Sequence, residues 1–155
     1  MSSDQGRFLV TGANGHLGRR LLARLADEAV PARALVRSER AAQVLRSLPC
    51  AGGFEIVVTD YGDREALAAA AAGCSRIVHL VGILKETRAT RYEDAHERTA
   101  EALADASARA GARRIVVLSI LGARPDHENR CLASKGRAEQ ILLRGEVPAV
   151  VLQGT

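Results

Sequence analysis

The 155-residue chain has no tryptophan and only two tyrosines and two phenylalanines, so aromatic residues make up 3% of it. Surfaces that stack nucleobases interleave aromatic rings with cations. With so few rings, the net charge of +4 reads as a solvated basic surface spread along the chain, and no nucleic-acid partner is expected. Cysteine is scarce too. Cys50, Cys74 and Cys131 are odd in number and far apart, which excludes a disulfide framework and a zinc knuckle and fits a reducing compartment. His16, His79, His96 and His127 share no metal-ligand spacing with one another or with the cysteines, so no metal is expected. Long apolar runs are missing: "IVVLSILGA" stops well short of the roughly 20 residues that a membrane helix needs. The opening "MSSDQGRF" is acidic where a signal peptide is basic. A cytoplasmic chain with no membrane span is the expectation, forming one domain over 1–155 by length.

Two kinds of segment alternate along the chain. Residues 7–12, 32–37, 54–60, 75–82, 113–120 and 148–153 are short, rich in β-branched residues and bounded by Gly, Pro or charge, which predicts six strands. Residues 16–28, 39–48, 63–72, 91–110 and 130–144 carry helical spacing, with Leu17, Leu21, Leu22 and Leu25 along one face of the first. The strands are near-continuous apolar runs, the mark of strands covered on both faces. Strict alternation of such strands with helices predicts an α/β fold, a doubly wound parallel sheet of six strands with helices on both faces.

"VTGANGHLG" (10–18) falls between the first strand and the first helix. In that context the spacing of Gly12, Gly15 and Gly18 carries physical meaning: a tight turn, a close approach of a phosphate to the backbone, and close packing of helix on strand. The N–H groups and dipole at the start of the helix then favour a pyrophosphate. Gly12, Asn14, Gly15, His16, Leu17 and Gly18 are the expected phosphate-holding set.

"TGANGHLG" resembles the TGxxGxxG motif of the extended and atypical short-chain dehydrogenase/reductase superfamily, whose domain is a Rossmann fold. "ALVRS", "VTDYGD" and "VHLVGILKE" are most similar to its atypical branch. That branch includes NmrA-like NADP(H) sensors, flavin or quinone reductase-like proteins and an accessory subunit of respiratory complex I. The resemblance implies either an oxidoreductase acting on a small carbonyl, quinone or flavin-type acceptor, or a non-catalytic module that senses redox state or supports a partner.

An NAD site places an acidic residue at the end of the second strand, about 20 positions after the motif. Arg37 stands there with Ser38 and Arg40, and a guanidinium pairs with a 2′-phosphate that a carboxylate would repel. NADP(H) is therefore expected over NAD(H), unless Arg37 is a solvated charge and Glu39 serves the ribose. Asp60, with Tyr61 beside it, resembles the family's adenine-contacting aspartate, although Asp60 or Asp63 also suits a helix cap. Val81 and Gly82, ending the fourth strand, are expected along the nicotinamide ribose, the alternative for Gly82 being a plain strand-ending glycine.

The family's catalytic set is a Ser at the end of the fifth strand and a YxxxK pair on the next helix. Ser119 and Lys135 match two of these positions, in catalytic or cofactor-contacting roles, and the Tyr position is Cys131. A thiol is too short to reach the same substrate oxygen, and losing a positioned acid typically costs roughly 10²- to 10⁴-fold in rate. Cys131 is otherwise read as a small buried helix residue. Relatives of this kind run on for over a hundred residues past the sixth strand, with Arg before Pro where Gln153 stands. The chain is thus expected to be either a fragment or a cofactor binder without a closed substrate site. An exposed edge on the sixth strand predicts self-association or a protein partner.

Overall fold

A computed structural model describes residues 6–155. Six strands form one all-parallel sheet: β1 (Arg7–Thr11), β2 (Ala32–Val36), β3 (Glu55–Val58), β4 (Cys74–His79), β5 (Arg114–Ile120) and β6 (Ala149–Gly154). Their order across the sheet is β3-β2-β1-β4-β5-β6. Five helices connect them: α1 (His16–Asp27), α2 (Glu39–Arg46), α3 (Arg64–Ala71), α4 (Thr99–Arg109) and α5 (Arg130–Leu143). This is the Rossmann-type doubly wound sheet.

The core explains the unbroken apolar runs. Neighbouring strand residues point to opposite faces, and both faces are buried in β1 and β2, whereas β3 and β6 at the sheet's edges hold no fully buried residue. Leu9, Leu35, Ile77 and Ile115 pack with Leu67, Leu103 and Leu142 of α3, α4 and α5. Val10, Ala34 and Val36 pack with Leu22, Leu25 and Leu45 of α1 and α2 on the other side. Sequence order reverses between β1 and β4, and the crevice beyond the carboxyl ends of those strands is where such sheets bind ligands.

Three departures from the sequence reading bear on that crevice. The fourth strand, expected to run to 82, ends at His79. Leu80 still donates to the Thr11 carbonyl (3.3 Å), after which Val81 and Gly82 leave the sheet and line the crevice. The third strand shortens to Glu55–Val58. The helix expected over 91–110 is in two parts, a π-helical turn at Glu93–Arg98 followed by α4. Thr99 Oγ1 donates to the carbonyl of Asp94 five residues back (2.9 Å), closing the wider turn.

Candidate functional site

The glycine turn is built by backbone crowding. Gly12 has φ +65°, and a Cβ there would stand 2.9 Å from the Leu80 carbonyl carbon. A Cβ on Gly18 would stand 2.5 Å from the Ala13 carbonyl oxygen, so only glycine lets α1 start this close to β1. Gly15 caps α1 with no side chain to satisfy the first-turn N–H groups, and no acidic residue lies in that turn. A helix start with uncovered donors and no competing carboxylate is a ready anion site. Asn14, Gly15, His16 and Leu17 are all exposed there.

The far end of the crevice is assembled from the ends of β2 and β3. Arg37 is exposed and Ser38 caps α2, its Oγ accepting from Ala41 N–H at 3.2 Å. Glu39 is held along α2 by Gln43 and Arg46, and these bonds pull its carboxyl below the usual range. Asp60 Oδ1 accepts from Gly62 N–H (2.9 Å), while Asp63 is the cap of α3, accepting from Ala66 N–H (3.0 Å). Tyr61 behaves unlike its exposed neighbours. It is buried, and its hydroxyl accepts from Gly12 N–H (2.8 Å) and donates to the Leu35 carbonyl (2.9 Å).

One groove of about 640 Å³ joins these parts, lined by Gly12, Asn14, Gly15, Arg37, Asp60, Tyr61, Val81 and Gly82 among others. It lies within the size range of cofactor sites. His16, Leu17, Gly18 and Ser38 do not line it, and Ser119 and Lys135 border a separate small cavity of about 20 Å³ behind Val81.

The wall of that small cavity mixes polar and apolar side chains. His79, His96, Ser119 and Lys135 share its wall. Thr11 Oγ1 lies 2.7 Å from His79 Nδ1, and burial pulls the His79 pKa down to about 3. His96 sits on the π turn with Nε2 3.1 Å from both the N and the O of Ile83, and burial brings its pKa to about 4. His96 Nδ1 and Ser119 Oγ are buried with no hydrogen-bond partner. Lys135 reaches in from α5, and burial lowers its pKa. A Cβ on Gly82 would stand 2.5 Å from Lys135 Nζ, so this glycine leaves the ammonium its place.

Cys131 turns its thiol to the Ile83 carbonyl (Sγ to O 3.5 Å). Tyr92 lies against the Cys131 thiol, its hydroxyl donating to the Leu84 carbonyl (3.0 Å) and its ring stacking on His96. It borders a different cavity, with Glu86, Arg130 and Arg137. Thr11, His79 and His96 escape a reading by motif. Their one sequence signal is a polar or titratable side chain inside an apolar strand or helix pattern, as in "RIVHLV". All three cysteines are free, and among the described residues no group of three His, Cys, Asp or Glu side chains is gathered for a metal. Nor is any helix among them long and apolar enough to cross a membrane.

A parallel sheet with a glycine turn at its switch point and a groove running from that turn to the ends of β2, β3 and β4 defines a dinucleotide-binding Rossmann domain. The chain belongs to the NAD(P)H-binding family whose model matches residues 12–152. It is 31% identical over 153 residues to a ceramide reductase of Caulobacter vibrioides, covering 98% of this chain and 46% of that protein. It is 27% identical over 133 residues to the NADH-ubiquinone oxidoreductase 40 kDa subunit of Neurospora crassa, covering 86% of this chain and 36% of that one. Among solved structures, uronate dehydrogenase from Agrobacterium tumefaciens superposes with a TM-score of 0.66 at 29% identity, over 88% of this chain and 54% of that chain. The chain therefore spans roughly a third to a half of the length of these proteins.

Proposed function

We propose that residues 1–155 are the NADP(H)-binding domain of a cytoplasmic oxidoreductase that reduces a small carbonyl, quinone or flavin-type acceptor. The observation that carries the reading is the continuity of the groove from the glycine turn to Gly82, behind which Lys135 and Ser119 stand. The reductase named among the relatives supports the reaction class.

In this reading Gly12, Asn14, Gly15, His16 and Leu17 hold the pyrophosphate, Gly18 lets α1 start close enough to β1 to bring them to it, Asp60 meets the adenine, and Val81 and Gly82 flank the nicotinamide ribose. Arg37 and Ser38 take the 2′-phosphate. Glu39 does not compete for the ribose, because Arg46 and Gln43 hold it along α2. The bound nucleotide supplies hydride chemistry. Ser119 Oγ, without an internal partner, donates to the acceptor oxygen, and Lys135, a stronger acid for being desolvated, gives it a proton.

A second reading, a non-catalytic NADP(H)-binding subunit, is favoured by Cys131, whose thiol faces a backbone carbonyl. The complex I subunit among the relatives fits it. Val150 and Leu152 are exposed on the β6 edge and suit a second copy or a protein partner.

Calorimetric titration with NADPH, NADP⁺ and NADH, followed by a screen of carbonyl, quinone and flavin acceptors, separates the readings. Tight NADPH binding with turnover supports the oxidoreductase; tight binding without turnover, unchanged in Cys131→Tyr, supports the subunit. Arg37→Ala is expected to weaken NADPH roughly 10- to 100-fold, the worth of a charge-assisted hydrogen bond, and to leave NADH nearly unchanged. Equal losses for both cofactors overturn the phosphate role of Arg37.

A further inference from the structure

Tyr61 joins three segments that sequence holds far apart. It follows β3, its hydroxyl accepts from the N–H of Gly12 in the β1–α1 turn, and it donates to the carbonyl of Leu35 near the end of β2. Its ring is 7% exposed, packed in the core with Leu9, Leu35 and Leu67. Gly12 itself sits at φ +65°, one of many conformations open to glycine, so fixing it costs conformational freedom.

We propose that Tyr61 is a positioning residue: its hydroxyl locks the glycine turn in the shape that receives the pyrophosphate before any cofactor arrives. This rests on the dinucleotide reading of the groove and deepens it. A phenol suits the task because one oxygen both accepts and donates, whereas phenylalanine fills the same space and does neither. Burial raises the phenol to about 12, so it stays neutral and keeps its donor proton at any working pH. The Gly12 N–H is engaged by Tyr61, so the hydroxyl acts on the nucleotide through the turn. A turn already in its bound shape saves the cost of ordering it on binding.

The test compares the wild-type chain with Tyr61→Phe by NADPH calorimetry and by amide hydrogen exchange of the cofactor-free protein. The expected result is a 5- to 20-fold rise in Kd, roughly the loss of one buried hydrogen bond, together with at least tenfold faster exchange at Gly12. A Kd within twofold of wild type overturns the proposal, whatever the exchange. So does a raised Kd with Gly12 protection unchanged, which would mean direct contact with the nucleotide. A merely structural tyrosine would lower the urea midpoint and leave the Kd of the folded protein alone. If Tyr61→Phe does not fold, the wild-type chain decides: Gly12 is expected to be protected about 100-fold or more over a free peptide, and an unprotected Gly12 overturns the lock. A wild-type chain that binds neither NADPH nor NADH sinks the dinucleotide reading instead, and the Gly12 exchange still judges the lock.

Discussion

A Cβ added at Gly18 or at Gly82 would lie 2.5 Å from a neighbour in each case, yet the neighbours differ in kind. At Gly18 it is the Ala13 carbonyl oxygen, which moves only if α1 moves off β1. Gly18→Ala is expected to cost about 1–3 kcal/mol, as overpacking does, and to lower Tm in a thermal scan. At Gly82 the neighbour is Lys135 Nζ, the end of a flexible chain. Gly82→Ala is expected to leave Tm within about 2 °C, as most exposed substitutions do, while displacing the ammonium. Turnover with an accepted substrate should then fall about tenfold or more, since shifts near 1 Å at a reacting group can cost up to 10²-fold. Full turnover in Gly82→Ala would show that the Lys135 position does not matter. Gly18 was legible in the sequence because the turn that needs it is local, with Gly12 only six positions before it. The partners of that turn were not. Tyr61 meets Gly12 across 49 residues and His79 meets Thr11 across 68, and such pairs exist only once β1 has β2 and β4 as neighbours.

At the scale of elements, period and punctuation carried most of the information. Six strands and five helical segments stand where apolar runs, Gly and Pro placed them, because both faces of the central strands demand apolar cover. What escaped was a change of pitch. The π turn at Glu93–Arg98 has the composition of any helix, and its wider winding puts His96 into the wall of the small cavity behind Val81. The end of β4 escaped for a related reason: Val81 is as apolar as a strand residue, but here it lines the groove. Caps decide where α5 begins. Asn129 Oδ1 accepts from both Cys131 N–H (2.9 Å) and Leu132 N–H (3.2 Å) at the turn that leads to Lys135. Asn129→Ala is expected to cost about 1 kcal/mol, the usual worth of an N-cap, read as a lower urea midpoint with unchanged slope. The exposed Arg109 and Glu65 pair, which joins α4 to α3 at 2.8 and 2.9 Å, is the contrasting case. Solvent and salt screen it, so Glu65→Gln should leave the midpoint where it is. A larger shift for Glu65→Gln than for Asn129→Ala would reverse this ranking of cap over surface pair.

For the molecule as a whole, the two buried histidines make stability depend on pH. Burial holds His79 at about 3 and His96 at about 4, against 6.5 for the free side chain. The unfolded chain takes up both protons as pH falls through 6.5, and the folded chain takes up neither until much lower. The unfolded state thus binds more protons across this window, so stability rises with pH there and is lost on acidification. The stabilisation is fully present above pH 6.5 and drains as pH falls towards the two folded values. Each histidine contributes up to about 1.4 kcal/mol per pH unit, so about 2 kcal/mol apiece is lost by pH 5. Glu39, Glu65 and Glu97 are also shifted, but downward from 4.5, so their losses begin below that window. Urea midpoints of the wild-type chain should therefore fall steeply between pH 7.5 and 5.0. In His96→Asn the same scan should start lower and descend with about half the slope, because one of the two depressed histidines is gone. A wild-type midpoint that stays flat over this range would mean that both imidazoles take up protons in the folded protein, and the small cavity they border with Ser119 and Lys135 would then carry positive charge at pH 5.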